Sequence, residues 1–408
     1  MTDLNLHVPL EGFEVRDGCL CVGGETLTSL MERLGGGPAY IYSADLIRRR
    51  IAALKDALPQ EVLLHFAIKA NPMPDVVRLV ADSVDGLDVA SAAELDVALA
   101  TGMQPVNISF AGPGKSEDEL ARALAAGIVV NAESETEIRR LAALSGTNGR
   151  PRVAIRVNPD FELRSSGMKM SGGPKPFGID AESVPALLDR FPEELDFHGF
   201  HIFCGSQNLS EASICDAQQK AVELALELVA HAPVPAAEFN IGGGFGIPYF
   251  PGEKPIDLTP IGDNLRRLSA RVASRSSDTR LVVELGRFIV GEAGIYVCRV
   301  LDKKVSRGKT YLITNGGLHH HLAASGNFGQ ILRKNYPVAI GNRIGSAATE
   351  VASVVGPLCT PLDILGENMT LSRAGIGDLV VVFQSGAYGR SASPLGFLSH
   401  PEPGEVLV

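Results

Sequence analysis

The chain has 408 residues, 45% of them hydrophobic and 21% charged, which is enough for one large domain plus a smaller one with an extensive core. With 37 basic against 47 acidic side chains the net charge is −10, so nucleic acid and anionic membranes are poor partners and small-molecule chemistry fits better. Six scattered cysteines without a Cys-x-x-Cys pair, and a start (Met1-Thr2-Asp3-Leu4-Asn5) that lacks the basic and apolar regions of a signal peptide, predict a cytoplasmic protein.

In chain order, Phe13–Val22 alternates like a hairpin. Apolar and β-branched runs follow at Leu63–Ala70, Gly86–Ala90, Asn107–Ala111, Ile128–Asn131, Val153–Asn158, Gly199–Gly205, Glu238–Gly242 and Leu281–Leu285. Between them helical patterns cover Glu94–Thr101, Glu117–Ala126, Glu135–Leu144, Val184–Phe191, Asp216–Ala232 and Leu265–Ser274. Eight strands alternating with helices predict a parallel (β/α)8 barrel of the TIM type, whereas an open doubly wound sheet would call for an early Gly-x-Gly-x-x-Gly turn. From about residue 290 strands recur without long helices, at Ile295–Asp302, Thr310–Thr314, Ala348–Val355 and Asp378–Phe383. The expected division is therefore N-terminal strands over 1–37 that join a β domain, a barrel over 38–289, and an all-β domain, sandwich-like or barrel-like, over 290–408.

Lys69 lies in the apolar run Leu63–Asn71. Burial there would lower its pKa and leave part of the amine neutral, as condensation with a carbonyl requires, although a lysine snorkelling from a strand end gives the same pattern. Strand seven ends in Gly242-Gly243-Gly244-Phe245-Gly246, where backbone N–H groups can approach a phosphate, or where a tight turn needs glycine. Strand eight ends in Glu284-Leu285-Gly286-Arg287, a carboxylate and a guanidinium at the barrel mouth or a surface ion pair. Phe203-Cys204-Gly205-Ser206 offers a ring and a hydroxyl at the end of strand six. A buried amine, a phosphate cradle, a carboxylate and a stacking ring are together the needs of pyridoxal phosphate.

On these motifs, with Leu87-Asp88-Val89-Ala90-Ser91, Gly356-Pro357-Leu358-Cys359 and Gly386-Ala387-Tyr388 in the same order, the chain resembles the fold-type III pyridoxal-phosphate decarboxylases, the ornithine and diaminopimelate decarboxylase family of alanine racemase-like fold. The resemblance implies that Lys69 carries the cofactor with Asp88 nearby. It also implies that Glu284 faces the pyridine nitrogen, and that Ser206, Gly243, Gly244, Arg287 and Tyr388 hold the phosphate. Cys359, reaching in from the partner subunit of a homodimer, would donate the proton after CO2 leaves. Relatives stack a histidine on the ring where this chain has Phe203, with His201 two residues earlier; stacking should survive that change.

Members acting on basic amino acids place an acid directly after the cysteine, and ornithine-type members another where this chain has Asn315; here Thr360 follows Cys359. A second ammonium group would be desolvated without a partner. Lys169-Met170, Gly173-Pro174, Phe177-Gly178, Gly316-Gly317-Leu318-His319-His320-His321 and Gly356–Pro361 make the chain similar to butirosin-type members, which act on a glutamyl group tethered to an acyl-carrier protein, and to exosortase-associated members. Adjacent residues of a strand face opposite ways, so His319, His320 and His321 are not expected to hold a metal, and a role in substrate binding is expected of them instead. An amino acid racemase of the same fold would need an arginine at the pyridine nitrogen, and a regulator without turnover would not need Lys69, Glu284 and Cys359 together.

Overall fold

The computed structural model describes residues 7, 12–146, 150–161, 168–169, 171–328, 330 and 333–408. The Met1–Asn5 start and Met170 of the Lys169-Met170 pair lie outside them. Two compact units form, one of 50–247 with 255–288, the other of 1–49, 248–254 and 289–408.

The first unit is a closed parallel barrel of β1 (Val62–Ala67), β2 (Gly86–Val89), β3 (Ile108–Phe110), β4 (Val129–Ala132), β5 (Arg152–Asn158), β6 (Asp196–His201), β7 (Glu238–Gly243) and β8 (Arg280–Leu285). Each strand pairs in parallel with the next, and β8 closes on β1 through Glu284 opposite His65. Strands of three to seven residues suffice because the helices cover their outer sides. The intervening helices include α1 (Pro74–Ala81), α2 (Ala92–Leu99), α3 (Glu117–Ala126), α4 (Glu135–Leu144), α5 (Val184–Leu188), α6 (Glu211–Leu228) and α7 (Leu258–Arg275). Local chemistry fixes their ends. Ser116 and Glu119 form a capping box at the start of α3, and Gly127 closes it at φ 70°. Ser91 and Ser134 cap α2 and α4 in the same way, each accepting from the N–H three residues on.

The second unit carries β9 (Gly294–Ser306), β10 (Lys309–Thr314), β11 (Val338–Ile340), β12 (Thr349–Val355), β13 (Ile364–Ser372) and β14 (Leu379–Val382), in the spatial order β11-β14-β9-β10-β12-β13. The sheet is mixed rather than purely antiparallel, since β10 and β12 run parallel. Ala39–Tyr42, which a barrel beginning at 38 would claim, instead pairs antiparallel with β9 and parallel with Gly404–Leu407. The reason is burial on both faces: Ala39, Tyr40, Ile41 and Tyr42 are all buried, and Ala39 and Ile41 share one core with Leu20, Val22, Leu30, Ile295, Val297 and Val381. The hairpin Glu14–Arg16 with Cys19–Val22 is tied to this unit by Leu20 N–H donating to the Gly341 carbonyl at 2.7 Å. No helix among the described residues is long and apolar enough to cross a membrane.

Candidate active site

At the carboxyl ends of the barrel strands, β1 stops at Ala67 and the chain enters a 3-10 turn over Ile68–Ala70. Lys69 therefore leaves the apolar run. Its side chain is 44% exposed and its Nζ donates to Glu284 Oε1 at 3.5 Å. The expectation of an amine sunk in apolar surroundings gives way to an amine at the mouth beside a carboxylate. Nζ also lies 5.3 Å from the centroid of the Phe203 ring, so Phe203 forms a wall of the space around the amine.

Glu284 is buried at the end of β8. Burial alone would raise its pKa, but Lys69, the hydrogen bond from His201 and the charge of Arg156 together hold the carboxyl below its ordinary range, so it stays an anion. His201 Nε2 donates to Glu284 Oε2 at 3.0 Å. His201 thus supports the carboxylate, while the ring face next to Lys69 is that of Phe203. A carboxylate of depressed pKa contributes stability above its ordinary pKa and loses it only on strong acidification.

The glycine run that ends β7 leaves no room for side chains. Gly242 and Gly244 hold φ values of 66° and 71°, in the left-handed region. A Cβ on Gly243 would meet the Glu284 carbonyl oxygen at 2.4 Å, and one on Gly244 the Gly205 carbonyl oxygen at 2.2 Å. Beside this run the buried hydroxyl of Ser206 makes no hydrogen bond among the described residues. Arg287 stands in the short helix that follows β8. An open backbone cradle with an uncommitted hydroxyl suits the oxygens of a phosphate.

Asp88, on β2, is buried and accepts from Ser109 Oγ at 2.6 Å and pairs with His65 Nδ1 at 3.2 Å, while its Oδ2 has no hydrogen-bond partner among the described residues. Two groups escaped the sequence reading. Glu94 Oε2 accepts from Ala90 N–H at 2.7 Å, and burial raises its pKa. In the sequence Glu94 is only the first residue of the helical pattern Glu94–Thr101. Arg156, on β5, pairs with buried Glu133 at 2.6 Å. A buried arginine in a barrel strand was the available sign, and its charge reaches Glu284.

In the β unit, Cys359 is exposed and Thr360 half-buried in the loop after β12. Tyr388 adopts φ 53°. Asn315 Oδ1 accepts from Arg299 N–H at 2.7 Å, which commits that oxygen to holding β9 against the end of β10. His319–His321 form a turn instead of a strand, because both His320 and His321 N–H groups donate to the Gly317 carbonyl at 3.0 Å. The alternation expected of them does not apply, and all three are buried. His320 Nδ1 meets Tyr296 Oη at 3.0 Å and its Nε2 the Pro401 carbonyl at 2.9 Å. His321 Nε2 meets Ser385 Oγ at 2.9 Å. His320 is thus engaged within this unit, contrary to the substrate contact expected of it. The His319 ring packs tilted against His320 with centroids 3.8 Å apart, and neither of its ring nitrogens has a hydrogen-bond partner among the described residues. No cluster that could hold a metal ion occurs among the described residues.

Burial drives these three rings neutral, to pKa values of about 4 for His319 and His320 and about 3 for His321, against an ordinary 6.5. The unfolded chain then binds more protons below pH 6.5, so stability is fully present above that pH and falls as pH drops toward 4. Calorimetry should show the unfolding midpoint falling across this window, less steeply in His319→Phe; identical slopes would contradict the assignment.

An amine, a ring face, a buried anion and a side-chain-free cradle converge at the mouth of one parallel barrel, and these residues fit pyridoxal phosphate. Fold and site define a pyridoxal-phosphate enzyme of fold type III. The family model described as pyridoxal-dependent decarboxylase, pyridoxal binding domain, matches residues 44–291. The L-glutamyl-(BtrI acyl-carrier protein) decarboxylase of Niallia circulans is 37% identical over 392 residues, covering 93% of this chain and 90% of that protein. Diaminopimelate decarboxylase of Aquifex aeolicus is 32% identical, covering 97% of this chain and 92% of that one. A crystal structure of an Aquifex aeolicus protein superposes with a TM-score of 0.84 at 30% identity, over 97% of this chain and 92% of that one. The chain belongs to the family of pyridoxal-phosphate-dependent ornithine, arginine and diaminopimelate decarboxylases, and it is an amino acid decarboxylase.

Proposed function

We propose that this decarboxylase removes the α-carboxylate from a glutamyl or similar aminoacyl group carried as a thioester on an acyl-carrier protein, leaving the carrier attached. The observation that carries this reading is the loop after β12. Its sequence is Gly356-Pro357-Leu358-Cys359-Thr360-Pro361-Leu362-Asp363, and the one carboxylate, Asp363, is buried with both oxygens accepting backbone N–H groups. Thr360 is what the loop offers beside Cys359, and Asn315 has its oxygen committed elsewhere. A distal ammonium group would lose its water without gaining an anion, a cost of a few kcal/mol. The name of the Niallia circulans relative supports the same substrate.

In this reading Lys69 would hold the cofactor, and Phe203 would cover one face of its ring. Glu284, kept ionised and hydrogen-bonded by His201, would meet the pyridine nitrogen and keep it protonated. Ser206, Gly243, Gly244, Arg287 and Tyr388 would hold the phosphate, and Asp88 would lie near Lys69. Bound there, pyridoxal phosphate supplies the electron sink for the bond pair left when CO2 departs. Cys359 of the partner subunit gives its thiol proton to the carbon that lost CO2, and the thiolate regains a proton from solvent. That role requires a homodimer with shared sites.

The second reading is a free diaminopimelate or lysine decarboxylase, favoured by the similarity to the Aquifex aeolicus enzyme. Turnover of free glutamate, diaminopimelate and lysine separates the two. Wild-type rates on all three should be low, and Thr360→Glu should raise the rate on diaminopimelate by roughly tenfold, the equivalent of one charge-assisted hydrogen bond. Fast wild-type turnover of a free diamino acid would overturn the carrier-bound substrate.

A further inference from the structure

We propose that Asp363 is the positioning residue for Cys359, a buried carboxylate that fixes the cysteine loop by clamping it to the histidine-bearing turn. The inference rests on the reading of Cys359 as proton donor. Asp363 Oδ1 accepts from Leu318 N–H at 2.5 Å and Oδ2 from Leu358 N–H at 2.8 Å. Its backbone closes the same loop, with Gly356 N–H donating to the Asp363 carbonyl at 3.1 Å and Asp363 N–H to the Thr360 carbonyl at 3.3 Å. One residue therefore holds the loop on both sides of Cys359 and ties it to the turn at Leu318.

The glycines around it explain why a carboxylate can sit there. A Cβ on Gly317 would come within 2.1 Å of Oδ1, and a Cβ on Gly356 within 2.2 Å of Oδ2. The two glycines give the carboxylate its seat between the strand ends. Charge-assisted bonds that backbone N–H groups donate to a carboxylate oxygen are the strong, directional kind. Cys359 itself is exposed, so its placement depends on the backbone beneath it. A proton donor displaced by about 1 Å loses rate by up to roughly a hundredfold.

The test compares holoenzyme of the wild type, Asp363→Asn, Asp363→Glu and Cys359→Ser. Alkylation of Cys359 by iodoacetamide is followed by peptide mass spectrometry, with the half-buried Cys215 of the barrel unit as internal reference. The share of CO2 release that ends as amine instead of carbonyl product is measured on a glutamyl carrier protein. Both Asp363 variants should change the Cys359 alkylation rate by roughly tenfold while that of Cys215 holds, and the amine share should fall although CO2 is still released. If Cys359→Ser lowers the amine share and the Asp363 variants alter neither readout, the positioning role is overturned and the proton-donor reading stands. If Cys359→Ser leaves the amine share unchanged, the proton-donor reading falls and takes the inference with it. Should neither Asp363 variant fold, amide exchange of the wild type decides: slow exchange at both Leu318 and Leu358 supports the clamp, and open-loop rates at either overturn it.

Discussion

Lys69→Ala is expected to abolish the cofactor's absorbance band and to lower turnover by on the order of a thousandfold or more, because no second amine replaces one placed to condense with a carbonyl. The fold should survive, since the side chain is 44% exposed and makes a long 3.5 Å contact with Glu284. Spectra recorded after reconstitution with pyridoxal phosphate, beside a thermal melt, separate loss of the cofactor from loss of structure. A variant that keeps the band would place the cofactor elsewhere.

Glu284→Gln should cost roughly a hundred- to a thousandfold in kcat. The amide matches the carboxylate in shape but carries no charge, so it cannot keep a ring nitrogen protonated. His201 can still reach the remaining oxygen from its 3.0 Å position, which limits the structural damage. Cofactor binding should therefore persist, with an altered absorbance maximum and slow CO2 release. Activity within about threefold of wild type would contradict the role, as a loss that small is below what removal of one preorganised electrostatic partner produces.

Much of this site is legible in the sequence. The strand ends that bear Lys69, Ser206, Gly243 and Glu284 follow from short apolar runs between amphipathic helices, and a parallel barrel gathers carboxyl ends at one mouth. What the sequence hid has physical reasons. Ala39–Tyr42 falls inside the range expected for the barrel, 38–289, and only the fold reveals β9 and Gly404–Leu407, hundreds of residues away, flanking it on both sides. Helix α1 begins at Pro74, where a proline at the first helical position signals a start that looks like a break. His319–His321 alternate only if extended, and the Gly317 carbonyl folds them into a turn by accepting two N–H groups. His201 could be placed near the site but not beneath Glu284, because register between β6 and β8 is a tertiary fact. Asp363 carries no signal in the sequence, because the N–H groups its two oxygens accept, of Leu318 and Leu358, are joined to it only by the fold.

Action on a carrier-bound aminoacyl group is tested by the intact mass of a glutamyl-loaded acyl-carrier protein after incubation with the holoenzyme, with free glutamate, diaminopimelate and lysine assayed in parallel. The carrier should lose the mass of one CO2 and keep its thioester, with slow turnover of the free amino acids. An unchanged carrier mass beside rapid release of CO2 from free diaminopimelate or lysine would contradict it, as would inversion of an amino acid without CO2.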